Sequence, residues 1–264
     1  MFFYLNLNYN RFKITKICDN QIYSELVEKY LEEQKMNKHI KYNIKYDDLI
    51  RKNFMKDYGT EGLEFINQDL LKKQRGILTY MIKKIGTNLL HGKSIMNVSL
   101  PINIFDQRSI LETFAYANKY HPIFFSKLDE TISNLDRIKT LTAYMIATLS
   151  LQLAGTKPFN PILGETFQAK VGDLEMYLEQ TCHHPPIFNF YFKSSLFKSY
   201  GFSALEVHSS ANSMIADNNG KMYIEFKDGT LYKLKPSKMQ ISGLMLGRRY
   251  VNYIENLAIE DLVK

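Results

Sequence analysis

From Pro161 onward the chain is written in short alternating runs, and this constrains its fold more than any other feature. "ETFQAKV", "LEMYLEQ", "IFNFYFK", "GFSALEV", "MYIEFKDGTLYKL" and "MQISGLML" are rich in Phe, Tyr, Ile and Val. Their period of two is that of half-buried strands. Gly172-Asp173, Pro185-Pro186, Asn219-Gly220 and Asp228-Gly229 supply turn signals between them. No helical pattern interrupts the series, so a meandering antiparallel sheet is expected. A long sheet of this kind must close, pack or be covered at its edges. The expected architecture is α+β: helices first, then a large, barrel-like antiparallel sheet.

The helical part precedes Pro161. In Gly76–Gly92, "GILTYMIKKIGTNLLHG", the residues Ile77, Leu78, Met81, Ile82 and Ile85 recur at helical spacing, and Gly86 ends the pattern. Such a stripe suits a core-facing amphipathic helix or a flap that touches membrane, and spacing does not separate the two. Pro101–Lys119 and Thr131–Leu153 read as further helices. In the second, Leu135, Ile138, Leu141, Met145 and Leu149 form an apolar stripe, and Gly155 stands where a helix would stop. Gln152 continues that stripe. A polar side chain there needs a partner, either backbone or water, or else a ligand hydroxyl in a greasy pocket. Residues 1–75 are polar and charge-mixed, with one short helical pattern over Glu25–Gln34, and read as a helical or partly disordered extension.

Charge and cysteine usage narrow the partners. Lys and Arg exceed Asp and Glu by 34 to 27, a net charge of +7 that suits an acidic partner such as a membrane surface, phosphate or nucleic acid. An unspecialised basic surface would carry the same excess. Cys18 and Cys182 are the only cysteines, so no disulfide framework is implied and a reducing compartment fits. The opening "MFFYLNLNYNRF" lacks the basic n-region of a secretory signal. No apolar run approaches the ~20 residues that a membrane-spanning helix needs. These features predict a soluble cytosolic protein whose membrane contact is peripheral.

Two short stretches carry chemistry. In Lys157–Phe167, "KPFNPILGETF", Pro158 and Pro161 stiffen the backbone, and Asn160 before Pro161 is pushed toward an extended conformation. Lys157, Asn160 and Glu165 thus lie on a rigid turn. In Glu179–Pro186, "EQTCHHPP", two histidines follow a cysteine and are stopped by two prolines. Zinc could draw on Cys182, His183 and His184, but three consecutive ligands converge poorly, and separated ligand spacings are absent. A Cys182–His nucleophile pair lacks a recognisable oxyanion loop. A phosphate site explains more, because imidazole N–H groups donate to phosphate oxygens and Lys157 could add a point charge from the neighbouring turn.

Together the two stretches resemble the fingerprint of the oxysterol-binding protein family, whose usual form is E-Q-V-S-H-H-P-P preceded by K-P-x-N-P-x-L-G-E. Thr181 and Cys182 stand where the family usually has Val and Ser. The upstream "SLPINIFDQRSILETF" and the later "GLMLGRRYVNYIENLAIED" also fall where that family would place them, so the resemblance spans residues 76–264. It implies N-terminal helices and a lid followed by an incomplete antiparallel β-barrel around a lipid tunnel, with residues 1–75 as an extension. The implied ligand is a single sterol or phosphatidylinositol 4-phosphate, carried between membranes without a cofactor, a metal or any covalent chemistry.

By position, the resemblance assigns His183, His184, Lys157 and Asn160 to the headgroup phosphate, with Glu165 in a supporting role on the same turn. It assigns Gln152 to a sterol hydroxyl through water, and Ile77, Leu78, Met81, Ile82 and Ile85 to the lid. Family members complete the headgroup site from a C-terminal helical segment. The sequence stops at Lys264 before such a segment and reads as a truncated domain. A phosphoinositide sensor or tether without transfer activity is therefore the alternative function. The implied partners are anionic membrane surfaces and no nucleic acid, for a monomer in the cytoplasm that associates peripherally with membranes at organelle contact sites.

Overall fold

The alternating runs are strands. The computed structural model describes residues 2–5, 56–57, 62–85, 102, 105–125, 128, 132–149, 157–210 and 212–262. In chain order these hold β1 (Phe2–Leu5), β2 (Lys56–Asp57), β3 (Leu63–Glu64), α1 (Gln68–Ile85), β4 (Phe105–Ser109), α2 (Ile110–Ala117), α3 (His121–Phe125), α4 (Asn134–Leu149) and β5 (Lys157–Phe159). The strand-rich part follows: β6 (Thr166–Val171), β7 (Leu174–Cys182), β8 (Ile187–Lys193), β9 (Phe197–Ser209), β10 (Ser213–Asn218), β11 (Lys221–Phe226), β12 (Leu231–Lys235), β13 (Met239–Ser242), β14 (Tyr250–Tyr253) and β15 (Leu257–Asp261). The helix expected over Glu25–Gln34 lies outside the described residues, as does Gln152.

Alternation sets which face is buried. On β7, Leu174, Met176, Leu178 and Gln180 point inward, and on β8, Phe188, Phe190 and Phe192 do the same. The intervening Tyr177, Glu179, Asn189 and Tyr191 face solvent. Helices α2 and α4 cover the inner face through Leu111, Ala115, Ile138, Leu141, Tyr144 and Met145. Each large apolar side chain removed from water here contributes about 1.5–3 kcal/mol before the entropy of ordering it is counted.

Strands β6 to β9 form an antiparallel meander, and β9 then divides the sheet. Along its first half β9 pairs with β8 and β11, and along its second half, Leu205–Ser209, with β10. One wing continues as β11-β12-β15-β1 and the other as β10-β13-β14-β3-β2. The result is an open, incomplete barrel. At the division Asn218 Oδ1 accepts from the amides of both Ala204 and Gly220, each at 3.0 Å. Backbones approach so closely here that a Cβ on Gly201 (φ +155°) would lie 1.9 Å from Lys221 O, and one on Gly220 would lie 2.0 Å from Phe202 O. Gly201→Ala is therefore expected to destabilise the protein by about 3 kcal/mol or more. A thermal melt shifted by less than about 2 °C would count against the close approach.

Parts of the first 75 residues join the sheet. β1 pairs with β15, and β3 pairs with β14 and β2. Leu63, Phe65 and Leu71 pack on Val251, with Met239 and Ile241 beside them. Arg249, itself buried, donates to Gln74 Oε1 at 2.7 Å and to the carbonyls of Gly243 and Leu244. Arg75 donates to Gly243 O and Gly247 O, so the first half of α1 is fastened to the β13–β14 loop.

Three sequence expectations are corrected. Pro101–Lys119 is not one helix, because Phe105–Ser109 is a strand that pairs in parallel with Lys157–Phe159. The helix begins only at Ile110, where the Ser109 hydroxyl caps it by accepting from Glu112 N. Leu135 is 55% exposed and stands outside the buried stripe of Ile138, Leu141, Met145 and Leu149. It falls in the first turn of α4, where Ser133 and Asp136 form the cap, before the helix meets the sheet. "MQISGLML" is a strand only to Ser242, since Gly243 turns the chain at φ +73°. Among the described residues no helix is long and apolar enough to cross a membrane.

Candidate functional site

The two polar motifs are joined by main-chain hydrogen bonds. Gly164 N donates to Gln180 O and Gln180 N donates to Glu165 O, both at 2.9 Å. These bonds extend the β6–β7 ladder past Thr166↔Glu179 and lay the proline-braced turn against the end of β7. Within the turn, Glu165 N donates to Ile162 O at 3.0 Å, and the Glu165 carboxylate accepts from Ile162 N at 3.1 Å. Pro161 is fully buried beneath it, and Gly164 takes the left-handed φ of +78° that lets the chain turn back. The carboxylate of Glu165 thus closes its own turn.

Lys157 and Asn160 form a pair at the base of that turn. The Lys157 ammonium donates to Asn160 Oδ1 at 3.0 Å and lies 4.9 Å from the centre of the Phe105 ring, which itself stacks on Phe159. Partial burial pulls the pKa of Lys157 below the usual lysine value. The ammonium therefore sits in a partly desolvated place, where an anion would be held more firmly than in open water.

The histidines occupy the turn after β7. A bulge at Thr181 shifts the register, so Gln180 faces Phe188 while Cys182 faces Ile187. Gln180 Nε2 donates to Cys182 O at 2.7 Å, and Asn189 donates to Thr181 Oγ1 at 2.8 Å, which fixes the strand just before the turn. The rings of His183 and His184 are exposed and meet edge to face, with centroids 4.6 Å apart. Pro185, joined to His184 by a cis peptide, and Pro186 complete the turn. Among the described residues neither ring makes a hydrogen bond or ion pair, and none joins the histidines to Lys157 or Asn160. The structure thus forms two separate pairs on adjoining turns. Among the described residues no group of three His, Cys, Asp or Glu side chains is placed to hold a metal ion. Cys182 is a half-buried free thiol whose carbonyl, not its sulfur, is engaged by Gln180.

A cavity of about 260 Å³ lies between helices α2 and α4 and the inner face of the sheet. Phe114, Phe188, Phe190, Phe192 and Phe197 wall it, with Met145, Met222, Ile224 and Leu234. Pro158, next to Lys157, and Phe188, two residues past Pro186, also line it, so the chain runs from the cavity wall into both motifs. Ser199 and Ser203, inward positions of β9, line the cavity where neighbouring strands carry larger Phe, Met and Leu side chains. The two serines of "SYGFS", on one face of the strand, are the sequence signal that would have located this part of the cavity. The role of Gln180 had no such signal, because it depends on the bulge.

The sequence model of the oxysterol-binding protein family matches residues 84–263. The chain belongs to the oxysterol-binding protein family. Oxysterol-binding protein 9 of Dictyostelium discoideum is 30% identical over 218 residues, which is 81% of this chain and 50% of that protein. Oxysterol-binding protein-related protein 3C of Arabidopsis thaliana is 28% identical over 221 residues, 77% of this chain and 47% of that protein. This family member thus spans about half the length of those relatives. Its fold is similar to that of the Osh1 ORD domain in complex with cholesterol (TM-score 0.61, 22% identity, 70% of this chain and 45% of that one). It is likewise similar to the Osh3 ORD in complex with PI(4)P from Saccharomyces cerevisiae (TM-score 0.61, 23% identity, 70% and 49%). Within this oxysterol-binding protein fold, Ile77, Leu78, Met81, Ile82 and Ile85 fall on α1, and their side chains lie outside the described residues.

Proposed function

We propose that this chain is a lipid-binding and lipid-transfer protein that takes up one sterol or phosphatidylinositol 4-phosphate at a time. The observation that carries the reading is the ring-walled cavity of about 260 Å³, whose wall includes Pro158 and Phe188, together with two hydrogen-bonded turns that present Lys157, Asn160, His183 and His184. Exposing a lipid to water costs ~0.8 kcal/mol per methylene, on the order of 10 kcal/mol for a long acyl chain, so a carrier must enclose that surface. The cavity is slightly under the ~300 Å³ at which ligand pockets usually begin, so a bound lipid is expected to widen it. In this scheme α1 supplies the lid through Ile77, Leu78, Met81, Ile82 and Ile85, and Gln152 meets a sterol hydroxyl through water. Lys157, Asn160, His183 and His184 hold the headgroup phosphate, each charge-assisted bond contributing about 1.5–3 kcal/mol. Glu165 acts by keeping the turn closed. The cavity and its rim carry out binding and release, with no covalent step. The protein works in the cytoplasm against anionic membrane surfaces, with residues 76–264 as the lipid domain.

Native mass spectrometry after incubation with liposomes containing phosphatidylinositol 4-phosphate, sterol and phosphatidylserine tests this directly. A soluble one-to-one complex is expected, and its mass identifies the lipid. Membrane binding with no extracted lipid would instead leave a phosphoinositide sensor or tether.

A further inference from the structure

The turn that carries Lys157 and Asn160 ends in an apolar tip. Ile162 is 71% exposed and Leu163 is 65% exposed, although they directly follow the fully buried Pro161. Exposed apolar residues are common singly, but two neighbours at the apex of a turn are a different case. This apex cannot fold its side chains back into the core. It is tied at Gly164 N to Gln180 O, at Glu165 N to Ile162 O, and at Ile162 N to the Glu165 carboxylate. The fold thus holds both side chains out in water by design of the backbone.

We propose that Ile162 and Leu163 insert into the apolar edge of an anionic bilayer and so seat the neighbouring polar turns on the membrane surface. The occupant is inferred from what stands beside the tip. The same turn carries the ammonium of Lys157, and the turn bonded to it through Gln180 carries the exposed rings of His183 and His184. An apolar wedge edged by cationic and hydrogen-bond-donating groups matches an interface that is apolar below and negatively charged above. The proposal rests on the lipid-carrier reading, since a headgroup bound by those turns must be drawn from a bilayer. Anchoring the tip would bring the turns to headgroup level before any lipid leaves the membrane.

The test uses the full chain and a variant carrying Ile162→Asp with Leu163→Asp. Cosedimentation with vesicles of phosphatidylcholine and phosphatidylserine is measured beside uptake of a short-chain phosphoinositide from free solution. The variant is expected to bind vesicles at least about tenfold more weakly, because two carboxylates replace the inserting groups. Its uptake of the soluble lipid and its urea midpoint should match the parent. A second variant, Ile162→Phe with Leu163→Phe, should bind vesicles at least as tightly as the parent. Vesicle binding unchanged in the aspartate variant, or absent in the parent, overturns the proposal and leaves a protein partner as the occupant of the tip. If neither chain takes up the soluble lipid while only the parent sediments with vesicles, the tip stands and the carrier reading falls.

Discussion

Replacing His183 and His184 together with alanine is expected to abolish phosphoinositide binding while the fold stands. Both rings are exposed, and among the described residues their one ring contact is with each other, edge to face at 4.6 Å, with no hydrogen bond or ion pair. Surface side chains with so few contacts usually change stability by no more than about 0.5 kcal/mol when truncated. Binding should respond very differently. Two charge-assisted hydrogen bonds to a phosphate contribute about 3–6 kcal/mol together, a loss of roughly 10²- to 10⁴-fold in affinity. Calorimetric titration with a short-chain phosphoinositide measures the loss, and the urea midpoint of the double variant checks the fold. Affinity within about threefold of the parent would sink the headgroup assignment, since one neutral hydrogen bond alone exceeds that.

Acid is expected to destabilise the protein over a window set by one buried histidine. His121 is 1% exposed and packs against Phe125, Tyr144 and Phe197. Burial pulls its pKa from 6.5 down to about 4, with only partial compensation from the Asp173 carboxylate 3.2 Å from Nε2. The folded protein therefore refuses a proton that the unfolded chain accepts. The stability this group contributes is fully present above pH 6.5 and is lost as pH falls toward 4, by about 3 kcal/mol.

Two carboxylates act lower still. Asp228 is held down to about 2, chiefly by the amide of Thr230 and also by Arg137. Asp173 is opposed by its own burial, yet the hydroxyl and amide of Ser195 keep it below the ordinary value. Both contribute stability above the usual carboxylate range that disappears only beneath it, so the two windows are separable. Urea midpoints measured at about pH 7.5 and about pH 4.5 should differ markedly in the parent and much less in His121→Phe. Equal midpoints in the parent would mean that His121 is reached by water.

Much of this was legible in the sequence, for local reasons. Inward and outward positions on β7 and β8 follow from alternation alone, because successive side chains of a strand must point to opposite faces. Asp228-Gly229 and Gly172-Asp173 mark hairpins because glycine there adopts positive φ at no steric cost. Lys157, Asn160, His183 and His184 were singled out by the residue types of two short motifs and by the family resemblance that those motifs carry. Other features depended on partners far along the chain. Phe105–Ser109 looked helical because its extended form is supported by Lys157–Phe159, some fifty residues later. His121 gave no sign of burial within "KYHPIFF", since its partners Asp173 and Phe197 come from distant hairpins.

What the sequence by itself determined is therefore the sheet, its turns and the identity of the polar groups, all governed by period and short-range backbone preference. The tertiary structure alone decided that β9 serves two wings at once, that Ser199 and Ser203 face a cavity, and that Gly164, Glu165 and Gln180 bind the two motifs side by side. These outcomes rest on which backbones meet and what volume remains between them. No local pattern carries that information, because close approach and empty space are properties of pairs of segments rather than of either one.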